Sequence, residues 1–328
     1  MNIIITGYAG FIGFHLVKKF LKNEKIDKIY CIDNFNKYYD VNLKINRHKK
    51  IIQIDLNQRC KFIKLDIKNK NKLIKYFTKI KIDFIFHLAA QAGINYSLTN
   101  PDAYISSNLI GFFNILELVK IKKVKNLVYS STSSVYGMNA EKKLHENLPI
   151  QKPLQLYSAT KVSNEAMAHA YANIYKFNSV GLRFFTVFGP WGRPDMAVYK
   201  FTDCILNNKK IDLFKYKSNF VKRDFTYIDD IIVSMDKIFN YLNKNNLVDV
   251  FNIGNSKPVS IKYLLQCIEN ELGVKAKTSI KKLSVSEMNS TNCDISKFKK
   301  KFNYKPNTKI EDGIKHFISW YKNYKRFD

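Results

Sequence analysis

The stretch that decides the fold is Gly7-Tyr8-Ala9-Gly10-Phe11-Ile12-Gly13, which follows an apolar run at residues 3–6. Glycines at this spacing allow a tight turn, let the backbone approach a pyrophosphate and let the next helix pack closely on the strand. The amides at the start of that helix also attract anions. Asp33 stands 20 residues after Gly13, where its carboxylate can accept ribose hydroxyls and repel a 2′-phosphate. The pattern predicts a dinucleotide site that favours NAD, although Lys37 nearby leaves NADP open.

Short apolar runs alternate with helical spacing through the first half of the chain. The predicted strands lie at residues 3–6, 29–33, 62–66, 84–89, 127–131, 180–186 and 250–253. The predicted helices lie at residues 11–21, 70–80 and 102–119. Such alternation indicates right-handed βαβ units. We therefore predict an α/β protein with a Rossmann-type, doubly wound parallel sheet.

The pattern loosens after Gly189, where prolines mark turns. We predict two domains on this basis. Residues 1–188, with a return segment at about 221–255, form the NAD-binding Rossmann domain. Residues 189–220 and 256–328 form a smaller, C-terminal substrate-binding domain.

The net charge is +28 on 328 residues, which suggests a nucleic-acid partner, but the proportion of lysine to arginine argues against one. Only six of the 55 basic residues are arginine, and the lysines are spread along the whole chain. A specific reader of DNA or RNA concentrates basic residues on one element and uses arginine forks on bases. The charge instead predicts a field that attracts small anionic molecules.

Composition also bears on membranes and metals. No apolar stretch approaches the ~20 residues that a membrane span needs, and the first residues lack the pattern of a secretory leader. The five cysteines include no Cys-x-x-Cys pair, which is typical of reduced thiols. The six histidines show no ligand spacing. We expect a cytoplasmic protein with no membrane partner and no metal.

A polar cluster with catalytic potential follows the fifth predicted strand. It contains Thr132, and the later pair Tyr157 and Lys161 is spaced to lie on one face of a helix. A lysine ammonium beside a phenol favours the phenolate, which is a general base at neutral pH. The Thr132 hydroxyl can hold the same substrate oxygen. The spacing is common by chance, but its position in a dinucleotide-binding chain indicates a catalytic group.

Further candidate residues follow the third and fourth predicted strands. These are Asp66-Ile67 and Leu88-Ala89-Ala90-Gln91. The carboxyl ends of strands line the ligand crevice of doubly wound sheets. Taken alone, such residues are more often simple packing.

Together these residues resemble the extended short-chain dehydrogenase/reductases that act on nucleotide sugars, over nearly the whole chain. The supporting strings are Ile32-Asp33-Asn34, Tyr38-Tyr39-Asp40, Ala90-Gln91-Ala92-Gly93, and the stretches at 183–196 and 222–230. The most specific is Pro190-Trp191-Gly192-Arg193-Pro194-Asp195-Met196. Within the family, the chain is most similar to the 4-epimerases of UDP-glucuronate.

The resemblance implies a role for each matching residue. The implied catalytic residues are Thr132, Tyr157 and Lys161. The implied NAD-binding residues are Gly7, Gly10, Phe11, Ile12, Gly13, Asp33, Asn34, Asp66, Ile67, Leu88, Ala89, Ala90, Tyr157 and Lys161. The implied UDP-sugar-binding residues are Gln91, Thr132, Ser133, Ser134, Thr186, Arg193 and Arg223. The stretch Ser284-Val285-Ser286-Glu287 departs from the Gly-Asp of family members, so no ribose contact is assigned there.

The implied reaction inverts carbon 4 of UDP-glucuronate to give UDP-galacturonate. It proceeds by transient oxidation with tightly bound NAD, rotation of the 4-keto sugar and return of the hydride. Dehydratases and decarboxylases of the family carry carboxylates after the threonine, where this chain has Ser133 and Ser134. Another UDP-hexose or UDP-N-acetylhexosaminuronate 4-epimerase stays open, as does, less favoured, a nucleotide-sugar dehydratase or decarboxylase. A dinucleotide-sensing regulator is the non-catalytic alternative.

The resemblance also implies an assembly and a pathway. Family members form a homodimer through a four-helix bundle, here built from the helices near residues 102–119 and 157–175. The implied pathway is polysaccharide biosynthesis.

Overall fold

The computed structural model describes residues 1–139, 143–284 and 287–326. Its strands are β1 (Asn2–Thr6), β2 (Lys28–Asp33), β3 (Cys60–Lys64), β4 (Phe84–His87), β5 (Asn126–Thr132), β6 (Asn178–Phe184), β7 (Thr186–Phe188), β8 (Ile211–Tyr216), β9 (Asn219–Phe220), β10 (Lys222–Tyr227), β11 (Val248–Ile253), β12 (Pro258–Ser260) and β13 (Thr278–Lys282).

The α-helices are α1 (Phe11–Phe20), α2 (Val41–Ile54), α3 (Lys70–Phe77), α4 (Tyr96–Thr99), α5 (Pro101–Tyr104), α6 (Gly111–Lys122), α7 (Leu156–Tyr175), α8 (Ala197–Leu206), α9 (Ile228–Leu242), α10 (Ile261–Leu272), α11 (Ser296–Phe302) and α12 (Ile310–Arg326). A π-helical segment (Ile105–Ile110) joins α5 to α6, and 3-10 turns (Ser133–Asn139) follow β5. No helix in the described part of the chain is long and apolar enough to cross a membrane.

The main sheet has seven strands in the order β11-β6-β5-β4-β1-β2-β3. β1 pairs in parallel with β2 and β4, and the parallel pairing continues from β2 to β3 and from β4 to β5. Helices cover both faces of the sheet, and inner strands carry buried apolar runs, such as the fully buried Ile3, Ile4 and Ile5 of β1. The predicted α/β, Rossmann-type parallel sheet is confirmed.

Several predicted elements have different bounds in the structure. The third strand starts and ends two residues earlier than 62–66. The strand predicted at 180–186 ends at Phe184, and Thr186 begins β7, which pairs with β10 in another sheet. The helix predicted at 102–119 is divided by the π-helical segment. The helix α2, which carries many polar residues, was not predicted.

The chain divides into two compact units. The first unit contains residues 1–135, 155–183 and 235–251, and the second contains residues 136–154, 184–234 and 252–328. The return to the first unit therefore starts at residue 235 rather than near 221, because β10 pairs with β7 and β12. Residues 136–154 join the second unit, where the Tyr136 hydroxyl donates to Asn252 Oδ1 at 2.6 Å.

The second unit has two small sheets, β12-β10-β7 and β13-β8-β9. Asp224 on β10 is fully buried and accepts hydrogen bonds from the backbone amides of Asn255 at 2.7 Å and Cys293 at 3.0 Å. Burial raises the pKa of this carboxyl, while the same amides oppose the shift. The buried carboxyl group thus links β10 to two later segments of this unit.

Candidate active site

The glycine-rich turn between β1 and α1 has the geometry of a phosphate site. Gly7 has φ +71, a left-handed conformation that suits glycine. A Cβ on Gly13 would lie 2.2 Å from the Gly7 carbonyl oxygen, so only glycine permits this close approach. Gly10 is the N-cap of α1, and the first turn, which includes Phe11 and Ile12, has no acidic residue. Its amides and the positive end of the helix dipole fit a pyrophosphate group.

Asp33 ends β2 directly beside this turn. Its carboxylate is buried and accepts from the amides of Ala9 at 3.2 Å and Phe35 at 2.8 Å. Burial raises the pKa of Asp33, and the cations Lys44 and Arg47 on α2 oppose that shift. The carboxylate is therefore placed at the turn, as the fit to a dinucleotide requires.

Lys44 and Arg47 were not identified from the sequence. The fully buried Arg47 donates from Nη1 to the Ala9 carbonyl at 2.9 Å and to the Tyr39 hydroxyl at 2.7 Å. Lys44 donates from Nζ to the Asn36 side chain at 2.6 Å. Both face inward from a polar helix, and no spacing rule distinguishes such cations from those on its exposed face.

The predicted residues after β3 and β4 reach the same edge of the sheet. Asp66 Oδ2 accepts from Asn34 Nδ2 at 3.1 Å, which ties the residues that follow β2 and β3. The amides of Leu88 and Ala89 donate to the Thr6 hydroxyl oxygen at 3.2 and 3.1 Å. Ile67 is buried, and Ala90 is half-buried. These contacts place the residues predicted to bind the cofactor around the carboxyl ends of β1 to β4.

Gln91 lies in a hydrogen-bonded turn next to the π-helical segment. Its amide donates to Asn108 Oδ1 at 2.8 Å, and Asn108 Nδ2 donates back to the Gln91 carbonyl at 3.0 Å. The Gln91 side chain donates to the Ala92 carbonyl at 3.1 Å. Asn108 therefore fixes the backbone of a predicted substrate residue, a role the sequence did not indicate.

The three predicted catalytic residues lie on β5 and α7 of the first unit. Thr132 is the last residue of β5, and its hydroxyl donates to Ser134 Oγ at 3.2 Å. Tyr157 is half-buried in the first turn of α7, with its ring 6.0 Å from that of Tyr104 in an edge contact. Ser133 is buried beside Thr132. The structure thus confines the hydroxyl groups to the end of one strand and the start of one helix.

Lys161 lies one helical turn after Tyr157 and is buried. Its Nζ donates to the Ser130 carbonyl at 2.9 Å. Burial lowers the pKa of Lys161 to about 8, and the carboxylate of Glu165 opposes the shift. Lys161 therefore loses its charge at a lower pH than an exposed lysine does.

The remaining predicted residues belong to the second unit. Thr186 begins β7, and Arg193 forms an ion pair with Asp195, with 3.0 Å between Nε and Oδ1. Arg223 on β10 lies 3.4 Å from Glu287 Oε2. Burial lowers the pKa of Arg223, and the nearby carboxylate of Glu287 opposes that shift. In the Ser284–Glu287 stretch, Val285 and Ser286 lie outside the described residues.

Within residues 1–139, 143–284 and 287–326, no three His, Cys, Asp or Glu side chains are grouped to hold a metal ion. All five cysteines are free thiols.

Comparison with known proteins decides the family. A family model described as GDP-mannose 4,6 dehydratase matches residues 4–317. The chain belongs to this family. The predicted resemblance to extended short-chain dehydrogenase/reductases is confirmed.

Individual relatives share nearly the full length of the chain. Protein CapI of Staphylococcus aureus is 40% identical over 339 residues, which cover 99% of each chain. UDP-glucuronate 4-epimerase 6 of Arabidopsis thaliana is 38% identical over 337 residues, which cover 99% of this chain and 72% of the plant protein. The crystal structure of UDP-glucuronic acid 4-epimerase from Bacillus cereus, in complex with UDP-glucuronic acid and NAD, matches with a TM-score of 0.89. Its sequence is 34% identical, and the match covers 99% of this chain and 100% of that one.

Proposed function

We propose that this member of the family is a UDP-glucuronate 4-epimerase that works with tightly bound NAD. The observation that carries the proposal is that Thr132 ends β5, and Tyr157 and Lys161 lie one turn apart on α7, in the same unit as a turn that fits a dinucleotide. Relatives named UDP-glucuronate 4-epimerase, at 36% to 40% identity, support it. The Bacillus cereus enzyme with NAD and UDP-glucuronic acid supports both the cofactor and the substrate.

The NAD site in this proposal contains the first-unit residues of the glycine turn and the strand ends. The amides of α1 hold the pyrophosphate, and Asp33 accepts the adenosine ribose hydroxyls. Asn34, Asp66, Ile67, Leu88, Ala89 and Ala90 line the rest of the cofactor. Bound NAD supplies a reversible acceptor for the hydride of carbon 4.

The chain's own residues handle the proton and the sugar. Tyr157 takes the proton of the 4-hydroxyl and later returns it, while Thr132 holds the same oxygen. The Lys161 ammonium stabilises the phenolate form of Tyr157. Ser133 and Ser134 supply uncharged hydroxyls, which can hold a sugar carboxylate without promoting elimination. Gln91 and Thr186 complete the sugar contacts.

The second unit supplies the cations for the nucleotide in this proposal. Arg223 binds the pyrophosphate of the UDP group, since a guanidinium fork suits two phosphate oxygens better than an ammonium does, and Arg193 belongs to the nucleotide-sugar pocket. Each arginine has a carboxylate partner in the structure, Asp195 and Glu287. The first unit is accordingly the NAD-binding domain and the second the nucleotide-sugar-binding domain.

We also infer a homodimer with a four-helix interface. Apolar side chains are exposed along the π-helical segment, α6 and α7, including Ile110, Phe113, Ile121 and Ile174. The rings of Phe113 on α6 and Tyr171 on α7 lie 6.4 Å apart, so the two helices share this face. A contiguous apolar face suits a second copy of the chain. The cytoplasmic location and the role in polysaccharide biosynthesis stay predictions.

The test of function is incubation of the purified protein with UDP-glucuronate and a panel of other UDP-sugars. We expect UDP-galacturonate, formed with little or no added NAD and without net NADH, because the hydride returns in every cycle. Denatured protein should release NAD. Stoichiometric NADH would identify a dehydrogenase, and a deoxygenated or decarboxylated product would identify a dehydratase or decarboxylase. Faster turnover of a neutral or N-acetylated sugar would reassign the substrate.

A further inference from the structure

Two consecutive residues of β5 are tied to two residues one turn apart on α7. The Ser130 carbonyl accepts from Lys161 Nζ at 2.9 Å, and the Ser131 hydroxyl donates to Glu165 Oε1 at 2.6 Å. The next residue of β5 is Thr132. These two hydrogen bonds therefore set the register of the strand that ends in Thr132 against the helix that carries Tyr157.

A buried arginine on the neighbouring strand also binds the Glu165 carboxylate that accepts from Ser131. Arg183 on β6 donates from Nε to Glu165 Oε1 at 2.9 Å and from Nη2 to Oε2 at 2.7 Å. The side chains of Arg183 and Glu165 are only 3% and 7% exposed. A buried ion pair is costly unless its geometry is good, and here the pair is bidentate and Glu165 Oε1 also accepts from the Ser131 hydroxyl. The reaction proposed above does not use either residue.

We propose that Glu165, fixed by Arg183, is a positioning residue that holds the end of β5 against α7 and so supports the Lys161 ammonium. The inference rests on the proposed function, because Lys161 acts there through Tyr157. It assigns no contact between Glu165 and the substrate or cofactor. Its sequence signal is the repeat of the same spacing, Tyr157 to Lys161 to Glu165.

The charged groups around Lys161 give the direction in which Glu165 shifts the pKa of Lys161. Burial lowers the pKa of Lys161 to about 8, and Glu165 raises it. His87 also faces Lys161, but burial and this ammonium lower the pKa of His87 to about 3, so the ring is neutral. Burial and Glu165 raise the pKa of Tyr129, which is therefore also neutral. Glu165 is thus the carboxylate that sustains the Lys161 charge, with Arg183 the neighbouring cation.

The sign of the pH dependence follows. Lys161 is an ammonium below its pKa and neutral above it, so activity that needs the charge is lost as pH rises through about 8. Removing the Glu165 carboxylate removes an interaction that favours the ammonium. The alkaline limit of activity then moves to lower pH.

The experiment measures this limit in the complete enzyme with Glu165→Gln, which keeps the shape of the side chain. The profile of kcat/KM for UDP-glucuronate against pH should lose its alkaline limb at a measurably lower pH than in the unmodified enzyme. NADH affinity of the cofactor-stripped protein, followed by fluorescence, should show the same displacement, because Lys161 also belongs to the proposed NAD site. Glu165→Asp, which keeps the charge, should restore the limb toward its original position.

A matched control separates this effect from lost stability. Asp55→Asn neutralises another buried carboxylate of the first unit, which accepts from the amides of Arg59 at 2.9 Å and Cys60 at 2.7 Å. It should lower the melting temperature without moving the alkaline limb. If Glu165→Gln does not fold, Glu165→Gln with Arg183→Met removes both buried charges; the limb should again move to lower pH but by less, because the neighbouring cation is also gone.

The outcomes distinguish the inference from the proposed function. An unmoved alkaline limb in both assays overturns the role of Glu165, even if the enzyme is an epimerase. If the unmodified protein does not convert UDP-glucuronate but the NADH limb moves as expected, the proposed substrate is wrong and the role of Glu165 stands. A displacement to higher pH also overturns the inference, because it has the wrong sign.

Discussion

Among single residues, Tyr157 offers the most direct test of the proposed chemistry. Tyr157→Phe keeps the ring and its edge contact with Tyr104 but removes the proton acceptor. General-base catalysis is worth ~10²–10⁴-fold, so kcat should fall by at least about 100-fold while NAD and substrate still bind. Steady-state assays with calorimetric binding measure both effects. The control is Tyr263→Phe, an exposed tyrosine on α10 of the second unit, which should leave kcat unchanged. A Tyr157→Phe enzyme whose kcat stays within about threefold of the original would contradict the assignment.

Asp33 gives a second residue-scale prediction, on cofactor choice. Asp33→Ala removes the carboxylate that accepts the ribose hydroxyls and leaves the cations Lys44 and Arg47 without it. Hydrogen bonds to a charged group are worth about 1.5–3 kcal/mol, so NAD affinity should fall about 10-fold to 100-fold. NADP affinity should fall less or rise, because the repulsion of a 2′-phosphate is gone. Fluorescence titration of both reduced cofactors checks this; equal affinities in the unmodified protein would remove the basis of the assignment.

At the scale of elements, the π-helical segment Ile105–Ile110 has a defined structural role. Its wider turn leaves the Asn108 carbonyl to accept from Asn164 Nδ2 at 2.7 Å, while the Asn108 side chain bonds to Gln91 and to the Thr160 hydroxyl. Asn108→Ala removes the side-chain partner of the buried Gln91 amide and carbonyl but keeps the backbone carbonyl. The free energy of unfolding should therefore fall by about 2–4 kcal/mol in denaturant titrations. Ser106→Ala, in the same segment, should change it by less than about 0.5 kcal/mol. Equal effects of the two substitutions would show that Asn108 has no special role.

The elements also explain what the sequence could predict. Strands such as β1 and β5 were found within one or two residues because they are buried and each contains a short apolar run, at residues 3–5 in β1 and 127–129 in β5. The positions of Thr132 at a strand end and of Tyr157 and Lys161 one turn apart on a helix could be predicted, because helical spacing and strand ends are local properties. Arg47, Asn108 and Arg183 were missed because their roles come from partners distant in the sequence. The π-helical segment that divides the helix predicted at 102–119 could not be predicted either, since it depends on which carbonyl groups accept hydrogen bonds from distant residues.

For the whole molecule, the apolar face of α6 and α7 predicts the state of assembly. Replacing Phe113 and Ile174 with lysine puts two charges on that face and should convert a dimer to a monomer at micromolar concentration. Size-exclusion chromatography with light scattering measures the mass directly. Leu206→Lys, an exposed apolar residue on α8 of the second unit, is the matched control and should leave the dimer intact. A monomeric unmodified protein would contradict the inferred interface.

The order of strands in the main sheet has a consequence for protein synthesis. β6 pairs on one side with β5 and on the other with β11, which emerges from the ribosome only after about 60 more residues. Translation at ~5–20 residues per second leaves β6 as an open edge for about 3–12 s. An unpaired strand edge is a template for pairing with another chain. During that interval the nascent protein exposes a strand edge that a neighbouring chain on the same polysome could pair with or a chaperone could cover.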